Sequence, residues 1–255
     1  MRIKIKLRAQ KEGAFRASLL EIRRGLTNAV FAIAKLGDPE MGEWLHNYGW
    51  RAAERGPRFK FFSYTPLYGA TTYTPYDSKN LIFKKPEAHF YIASPEDRII
   101  DLFIKGATSP ALSELKIGNV DFEVTGVEVM PRLKLGGLVV FKTLSPILIS
   151  KSRISEGPRY LSADNPTLLA DRLKKNALLR WKTWSGDNGV SLELEVLEAQ
   201  TRIVQHGGIN FKFPSFTGLI KVQASTEVIE FLYDAGLGEK TGLGFGALGV
   251  SGRVS

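Results

Sequence analysis

Residues Gly236–Val250 read GLGEKTGLGFGALGV, with six glycines ahead of the closing valine. Glycine accepts positive φ and has no Cβ, so such a run lets main-chain N–H groups approach an anion closely. Carriers of proton chemistry are few. His46, His89 and His206 are the only histidines, they share no HxxxH or HxH spacing, and there is no cysteine. Disulfides and thiolate catalysis are thereby excluded, and neither a metal centre nor a cofactor is expected. An isolated imidazole remains, and it accepts or donates a proton at neutral pH because its unperturbed pKa is about 6.5. His46 is the candidate, at the end of a predicted helix beside a basic segment, where the competing role is an interaction with helix-terminal carbonyls. His89, in the strand-like AHFYI, and His206, beside Gly207 and Gly208, are read first as structural and held in reserve.

Two nucleotide-binding readings of the glycine run fail on spacing. GFGALG at Gly244–Gly249 satisfies GxGxxG, but a dinucleotide fingerprint must open a helix within a longer βαβ unit, and only six residues follow Gly249. GEKTG at Gly238–Gly242 lacks the four residues a phosphate-binding loop requires between its first glycine and Gly-Lys-Ser/Thr. Charge points to a larger anion. Lysine and arginine total 35 against 26 acidic residues, a net +9, which favours a polyanionic partner. With 44% hydrophobic and 24% charged residues the chain reads as globular. No apolar run approaches the ~20 residues of a membrane span, and MRIKIKLRAQ lacks the apolar core of a signal peptide, so a cytoplasmic protein with no membrane partner is expected.

The elements that must position these residues follow from periodicity. The first strand alternates Ile3, Ile5 and Leu7 against Arg2, Lys4, Lys6 and Arg8, leaving a basic face for solvent or a polyanion. Apolar residues from Leu19 to Ala34 recur at helical spacing, predicting a helix from about Phe15 to Leu36 that Gly37 ends. Asp38-Pro39 then opens a short helix through about His46. Strands are predicted at Phe59–Tyr64, Asn80–Phe83, Ala88–Ala93 and Val120–Val129, and a helix over Pro95–Gly106. The second half repeats the plan: a strand pair over Leu138–Ile149, a helix from Asn165-Pro166, strands over Ser191–Ile203 and Ile209–Val222, a helix at Thr226–Ala235, and a closing strand from Gly244. This predicts an α+β chain of two ferredoxin-like domains, 1–130 and 131–255, the second carrying the glycine-rich loop.

In that setting GLGEKTGLGFGALGV closely resembles the C-terminal glycine-rich loop of the RAMP superfamily of CRISPR-associated proteins. More narrowly it resembles the repeat-processing endoribonuclease family called Cas six, whose G-x-G-x-x-x-x-x-G-x-G pattern falls here on Gly236, Gly238, Gly244 and Gly246. FAIAKLGDPEMGEWLH, Phe31–His46, resembles that family's N-terminal helix pair, and KTLSPILIS, Lys142–Ser150, resembles the segment opening its second domain.

The resemblance implies a metal-independent endoribonuclease that cuts CRISPR repeat RNA. The 2′-hydroxyl attacks the neighbouring phosphorus, leaving a 2′,3′-cyclic phosphate and a 5′-hydroxyl. It implies that His46 is catalytic. The tyrosine that some members pair with this histidine is replaced here by Phe31, which cannot move a proton, and Tyr48 is the nearest hydroxyl in sequence. The family's downstream cation falls within GPRFKF, on Arg58 as the best match and Lys60 as the second choice; both also read as exposed strand charges. RNA binding is assigned to the loop, through Gly236, Gly238, Lys240, Gly242, Gly244 and Gly246, and to Lys151, Arg153, Arg172, Lys174, Lys175 and Arg180 around the fourth helix. Aromatics of FKFFSYTPLYGATTYTPY are divided between base stacking and core. Partners implied are precursor CRISPR RNA and subunits of a CRISPR effector complex, with the chain a monomer or homodimer. The alternative is a non-catalytic RNA-binding subunit of the same fold, which Phe31 favours.

Overall fold

The computed structural model describes the chain except residues 12, 73–79, 152–158, 206–211 and 254–255. Arg153, His206, Tyr73 and Tyr76 therefore lie outside the described residues. In chain order the elements are β1 (Arg2–Ala9), β2 (Phe15–Ser18), α1 (Leu19–Gly37), α2 (Pro39–Asn47), β3 (Trp50–Arg51), β4 (Arg58–Phe59), β5 (Ser63–Tyr64), β6 (Tyr68–Thr72), β7 (Asn80–Ala93), α3 (Asp97–Ala107), β8 (Leu115–Ile117), β9 (Val120–Met130), β10 (Leu138–Thr143), α4 (Pro166–Ser185), β11 (Leu192–Gln205), β12 (Lys212–Ala224), α5 (Thr226–Ala235) and β13 (Leu248–Arg253). Among the described residues no helix is long and apolar enough to cross a membrane.

Two compact units result, one built mainly from Met1–Asn47 and Thr65–Pro131, the other from Tyr48–Tyr64, Arg132–Val204 and Lys212–Ser255. Each follows a β-α-β-β-α-β plan in which the first strand lies between the third and fourth and the second flanks the third. In the first unit the sheet path is β2–β7–β1–β9–β8 with β6 also pairing with β7, and in the second it is β11–β12–β10–β13. The fold is α+β with tandem ferredoxin-like units.

In the first unit β1 is central, pairing antiparallel with β7 (Ile5↔Phe90) and β9 (Ile5↔Val127). Ile3, Ile5 and Leu7 are buried on one face, as their alternation requires. On the other face Lys6 pairs with Glu128 at 3.0 Å, so part of that basic stripe is neutralised within the sheet. The helix predicted from Phe15 begins four residues later. Phe15–Ser18 instead pairs antiparallel with β7, where Phe15 stacks on Phe83 at 4.7 Å, and the Ser18 hydroxyl then caps α1 by accepting from Glu21 N at 3.4 Å. The two strands predicted between Asn80 and Ala93 are one, β7. Lys84–Pro86 fall between its ladders, where a proline's missing N–H leaves no ladder bond unmade.

Helices α1 and α3 pack back to back through bare backbone. A Cβ on Gly106 would stand 1.8 Å from the Ile33 carbonyl oxygen. Gly106→Ala is therefore expected to force the helices apart and destabilise the protein by about 1–3 kcal/mol, or more where the backbone cannot yield. Thermal unfolding of the variant checks this, and an unchanged midpoint would contradict the close approach.

The second unit's core joins α4 (Leu169, Leu173, Ala177, Trp181) and α5 (Ile229, Phe231, Leu232) to the sheet residues Phe141, Ile220 and Val222. Phe61 anchors Tyr48–Tyr64 in this unit: it is fully buried, 5.0 Å from Trp50 and 5.7 Å from Phe231. Phe61, Phe62 and Tyr64 are thus core residues, and the short strands β4 and β5 replace the single strand predicted over Phe59–Tyr64. The strand pair predicted over Leu138–Ile149 reduces to β10. Beyond it Ile147, Leu148 and Ser150 make single bridges to Phe216, Glu239 and Tyr160.

Candidate nucleic-acid interface

Within the second unit a cleft of about 1000 Å³ opens between four pieces of chain. The β3–β4 hairpin contributes Pro57–Lys60, the strap after β10 contributes Ile149–Lys151 with Arg159 and Tyr160, and the glycine loop contributes Gly238–Leu243. From α4 come Arg172, Lys175, Asn176, Leu179 and Arg180, spaced so that one helical face carries them all. That helix starts where the sequence places it, with Asn165 Oδ1 accepting from Leu168 N at 2.9 Å ahead of Pro166.

Cations stand on every wall, and Glu239 is the single acidic residue lining the cleft among the described residues. Its carboxylate is turned to the strap, where Oε1 accepts from Ser150 N at 3.1 Å and from the Ser150 hydroxyl. Arg172 Nε donates to Ser150 O at 3.2 Å, so α4, strap and loop are tied at one residue. The cleft is left electropositive, the requirement for a phosphate-rich ligand.

Lys60 is the titratable group this setting alters most among the cleft lysines. Burial first, and the like charge of Lys240 second, bring its pKa down to about 8. Its stem lies against Gly242, where an added Cβ would approach Lys60 Cδ to 3.0 Å, and Thr241 Oγ1 donates to its carbonyl at 3.2 Å. Arg58 is exposed at the mouth, its guanidinium 5.5 Å from the centre of the exposed Tyr48 ring.

The four glycines of the loop pattern, Gly236, Gly238, Gly244 and Gly246, all have positive φ, from 73° to 87°. Space is as limiting as angle at Gly246, where a Cβ would stand 2.0 Å from the Leu237 carbonyl oxygen. These turns fold the loop back so that Gly246 N donates to Pro146 O at 2.9 Å and Glu239 N to Leu148 O at 2.7 Å. Among the described residues the amides of Lys240, Thr241 and Gly242 donate to no protein acceptor.

His46 belongs to the first unit, exposed in the last turn of α2. Its ring meets the buried Phe31 edge-on, centroids 4.7 Å apart at 85°. Its Nδ1 lies 2.8 Å from Asn47 Oδ1, while Asn47 Nδ2 donates to the Glu43 carboxylate. Because a carboxylate only accepts, the amide orientation follows, and His46 Nδ1 carries the hydrogen. Nε2 is then the ring atom that exchanges protons. Lys35 first, and Asn47 second, hold the Glu43 carboxyl below its usual range, keeping this anchor charged. His89 is half-buried between Tyr68 and Tyr91, centroids 5.7 and 5.4 Å away, with its pKa lowered by burial and then by Lys4.

Residues 130–250 match the family model for the C-terminal part of the CRISPR-associated protein Cas6. A CRISPR-associated endoribonuclease Cas6 of Methanocaldococcus jannaschii is 26% identical over 225 residues, covering 87% of this chain and 82% of that protein. A putative CRISPR-associated endoribonuclease-like protein Cas6 of Pyrococcus furiosus is 29% identical over 179 residues, 68% of this chain and 71% of that one. Through its C-terminal half and these relatives the chain is similar to the Cas6 family. A solved structure described as CRISPR associated protein Cas6 superposes with a TM-score of 0.79 at 23% identity, covering 99% of each chain. One described as an RAMP protein binding different RNA substrates gives 0.81 at 22%, over 99% of this chain and all of that one. At these identities the superpositions establish the shared fold.

Of the residues singled out from the sequence, Arg58, Lys60, Lys151, Arg172, Lys175, Gly238, Lys240 and Gly242 line one cleft. Gly236, Gly244 and Gly246 shape the loop without lining that cleft. Lys174 does not line it either: it pairs with Glu193 on β11 at 2.9 Å, one turn-position away from the helical face that carries Arg172 and Lys175. Arg180 is not a surface cation at all. It is 1% exposed and donates to loop carbonyls, because its neighbour Trp181 draws that turn of α4 into the core. Arg159 and Asn176 escaped sequence reasoning. Arg159 is a lone basic residue in SEGPRY with no spacing signal, whereas Asn176 lies four residues from both Arg172 and Arg180.

Proposed function

We propose that this chain is an endoribonuclease that cuts CRISPR repeat RNA, and that it does so without a metal ion. The observation that carries the reading is the electropositive cleft of the second unit with Lys60 inside it at a pKa of about 8. Relatives named as CRISPR-associated endoribonucleases support it. In the reaction the 2′-oxygen bonds to phosphorus and the bond from phosphorus to the 5′-oxygen breaks. The 2′-hydroxyl proton goes to a base, and the departing 5′-oxygen takes a proton. For the base, the family resemblance implies His46. The Lys60 ammonium offsets charge on the phosphorane and supplies the second, since a lysine titrating near neutrality gives up a proton readily. Arg58, always charged, can grip phosphate oxygens but is a poor acid, so of the two candidate cations Lys60 suits proton transfer and Arg58 suits binding.

Incubating the protein with its cognate repeat RNA in EDTA, beside the same RNA with a 2′-deoxy sugar at the scissile nucleotide, tests both halves. Site-specific cutting in EDTA, absent from the deoxy substrate, with 2′,3′-cyclic phosphate ends, is the expected result. Cutting only with added metal, or unaltered by the deoxy sugar, overturns the chemistry. A second reading, an RNA-binding subunit that does not cut, is favoured by Phe31, which presents a ring edge and no hydroxyl to His46. Tight binding with no cutting across pH and temperature would establish it.

A further inference from the structure

Among the described residues Arg180 is the largest side chain almost wholly shielded from solvent, yet it reaches one wall of the cleft. Its Nη2 donates to Ala235 O at 2.8 Å, and its Nη1 to Gly236 O at 2.7 Å and Gly238 O at 3.2 Å. The first two carbonyls end α5, and the third lies within the glycine loop. No carboxylate pairs with the guanidinium among the described residues. A buried cation held by carbonyls alone is an expensive arrangement, and an apolar side chain would fill the same place at lower cost in desolvation. Burial lowers its pKa to about 10, which still leaves it charged at neutral pH.

Three carbonyls drawn to one guanidinium are three oxygens held in fixed directions. Peptide units with positive φ on either side rotate easily, since glycine has no Cβ to oppose it. Released, those oxygens could swing toward a bound anion and repel it. Held, they leave the stretch from Lys240 to Gly242 with amides that have no protein acceptor among the described residues, on the cleft wall beside the Lys240 ammonium.

We propose that Arg180 is a positioning residue for RNA binding: its guanidinium fork fixes the carbonyls of Ala235, Gly236 and Gly238 so that the Lys240–Gly242 amides face an RNA phosphate. This rests on the reading of the cleft as the RNA site. A lysine cannot replace the fork, because a single ammonium cannot span three carbonyls set around a planar donor.

The test measures affinity for the cognate repeat RNA as a function of salt, and single-turnover cleavage, in the wild type, Arg180→Lys and Arg180→Met, each first shown to be folded by circular dichroism. Both variants are expected to bind about tenfold more weakly, with a salt slope shallower by about one phosphate, while the cutting rate at saturating RNA stays within about threefold. A lowered melting temperature with wild-type affinity and slope would mean a purely structural arginine and would overturn the proposal. So would Arg180→Lys binding like the wild type. If the wild type itself fails to bind repeat RNA, it is the RNA reading of the cleft that falls. Should neither variant fold, hydrogen exchange of the wild type decides: repeat RNA is expected to protect the Lys240–Gly242 amides, and unaltered exchange there overturns the proposal.

Discussion

Replacing His46 with alanine is expected to slow cleavage of repeat RNA by about 10²–10⁴-fold, the range one positioned acid–base group supplies. Affinity should stay within about twofold, because the cationic walls of the cleft lie in the other unit and do not include this side chain. Stability should change little, since His46 is exposed in the last turn of α2 and its main contact is the edge of Phe31. Single-turnover cleavage beside equilibrium binding separates the two effects. An alanine variant that cuts within a few-fold of wild type would remove His46 from the chemistry. One that loses binding in proportion would make it a contact residue instead.

Lys60 should set the alkaline limb of the pH–rate profile. In the free protein burial and the Lys240 charge oppose its ammonium form, so protonation is lost above about pH 8 rather than near the ordinary lysine value. The profile of kcat/KM reports the free enzyme and should fall above about 8; bound phosphates favour the ammonium, so the limb of kcat alone should lie higher. Removing the like charge with Lys240→Gln raises the Lys60 pKa and moves the kcat/KM limb upward. Lys60→Met should cost about 10²-fold in rate at every pH, and Lys60→Arg should erase the limb from the accessible range. A limb that stays in place in Lys60→Arg would assign it to another group. A rate that rises through pH 8 would reverse the role and make the neutral amine the base.

The sequence by itself determined the α+β plan, the helical phase of α1 and α4, the cap of α4 at Asn165, and the bounds of α5, because these rest on periodicity and local capping chemistry within a few residues. It also marked four loop glycines of positive φ, Gly236, Gly238, Gly244 and Gly246, since only that residue type occupies such turns in number. What it misplaced depended on partners distant in the chain. Phe15 became strand because Phe83 lies beside it, and Phe61 and Tyr64 went to core because the second unit claims residues 48–64. Arg180 looked like one more basic residue on a basic helix. Its burial, and the three carbonyls it holds, were decided only when α4 met the end of α5. The same holds for Lys60: a lysine acquires a pKa of about 8 from the low-dielectric wall around it and from Lys240, 180 residues further along the chain, and neither is encoded in its own neighbourhood.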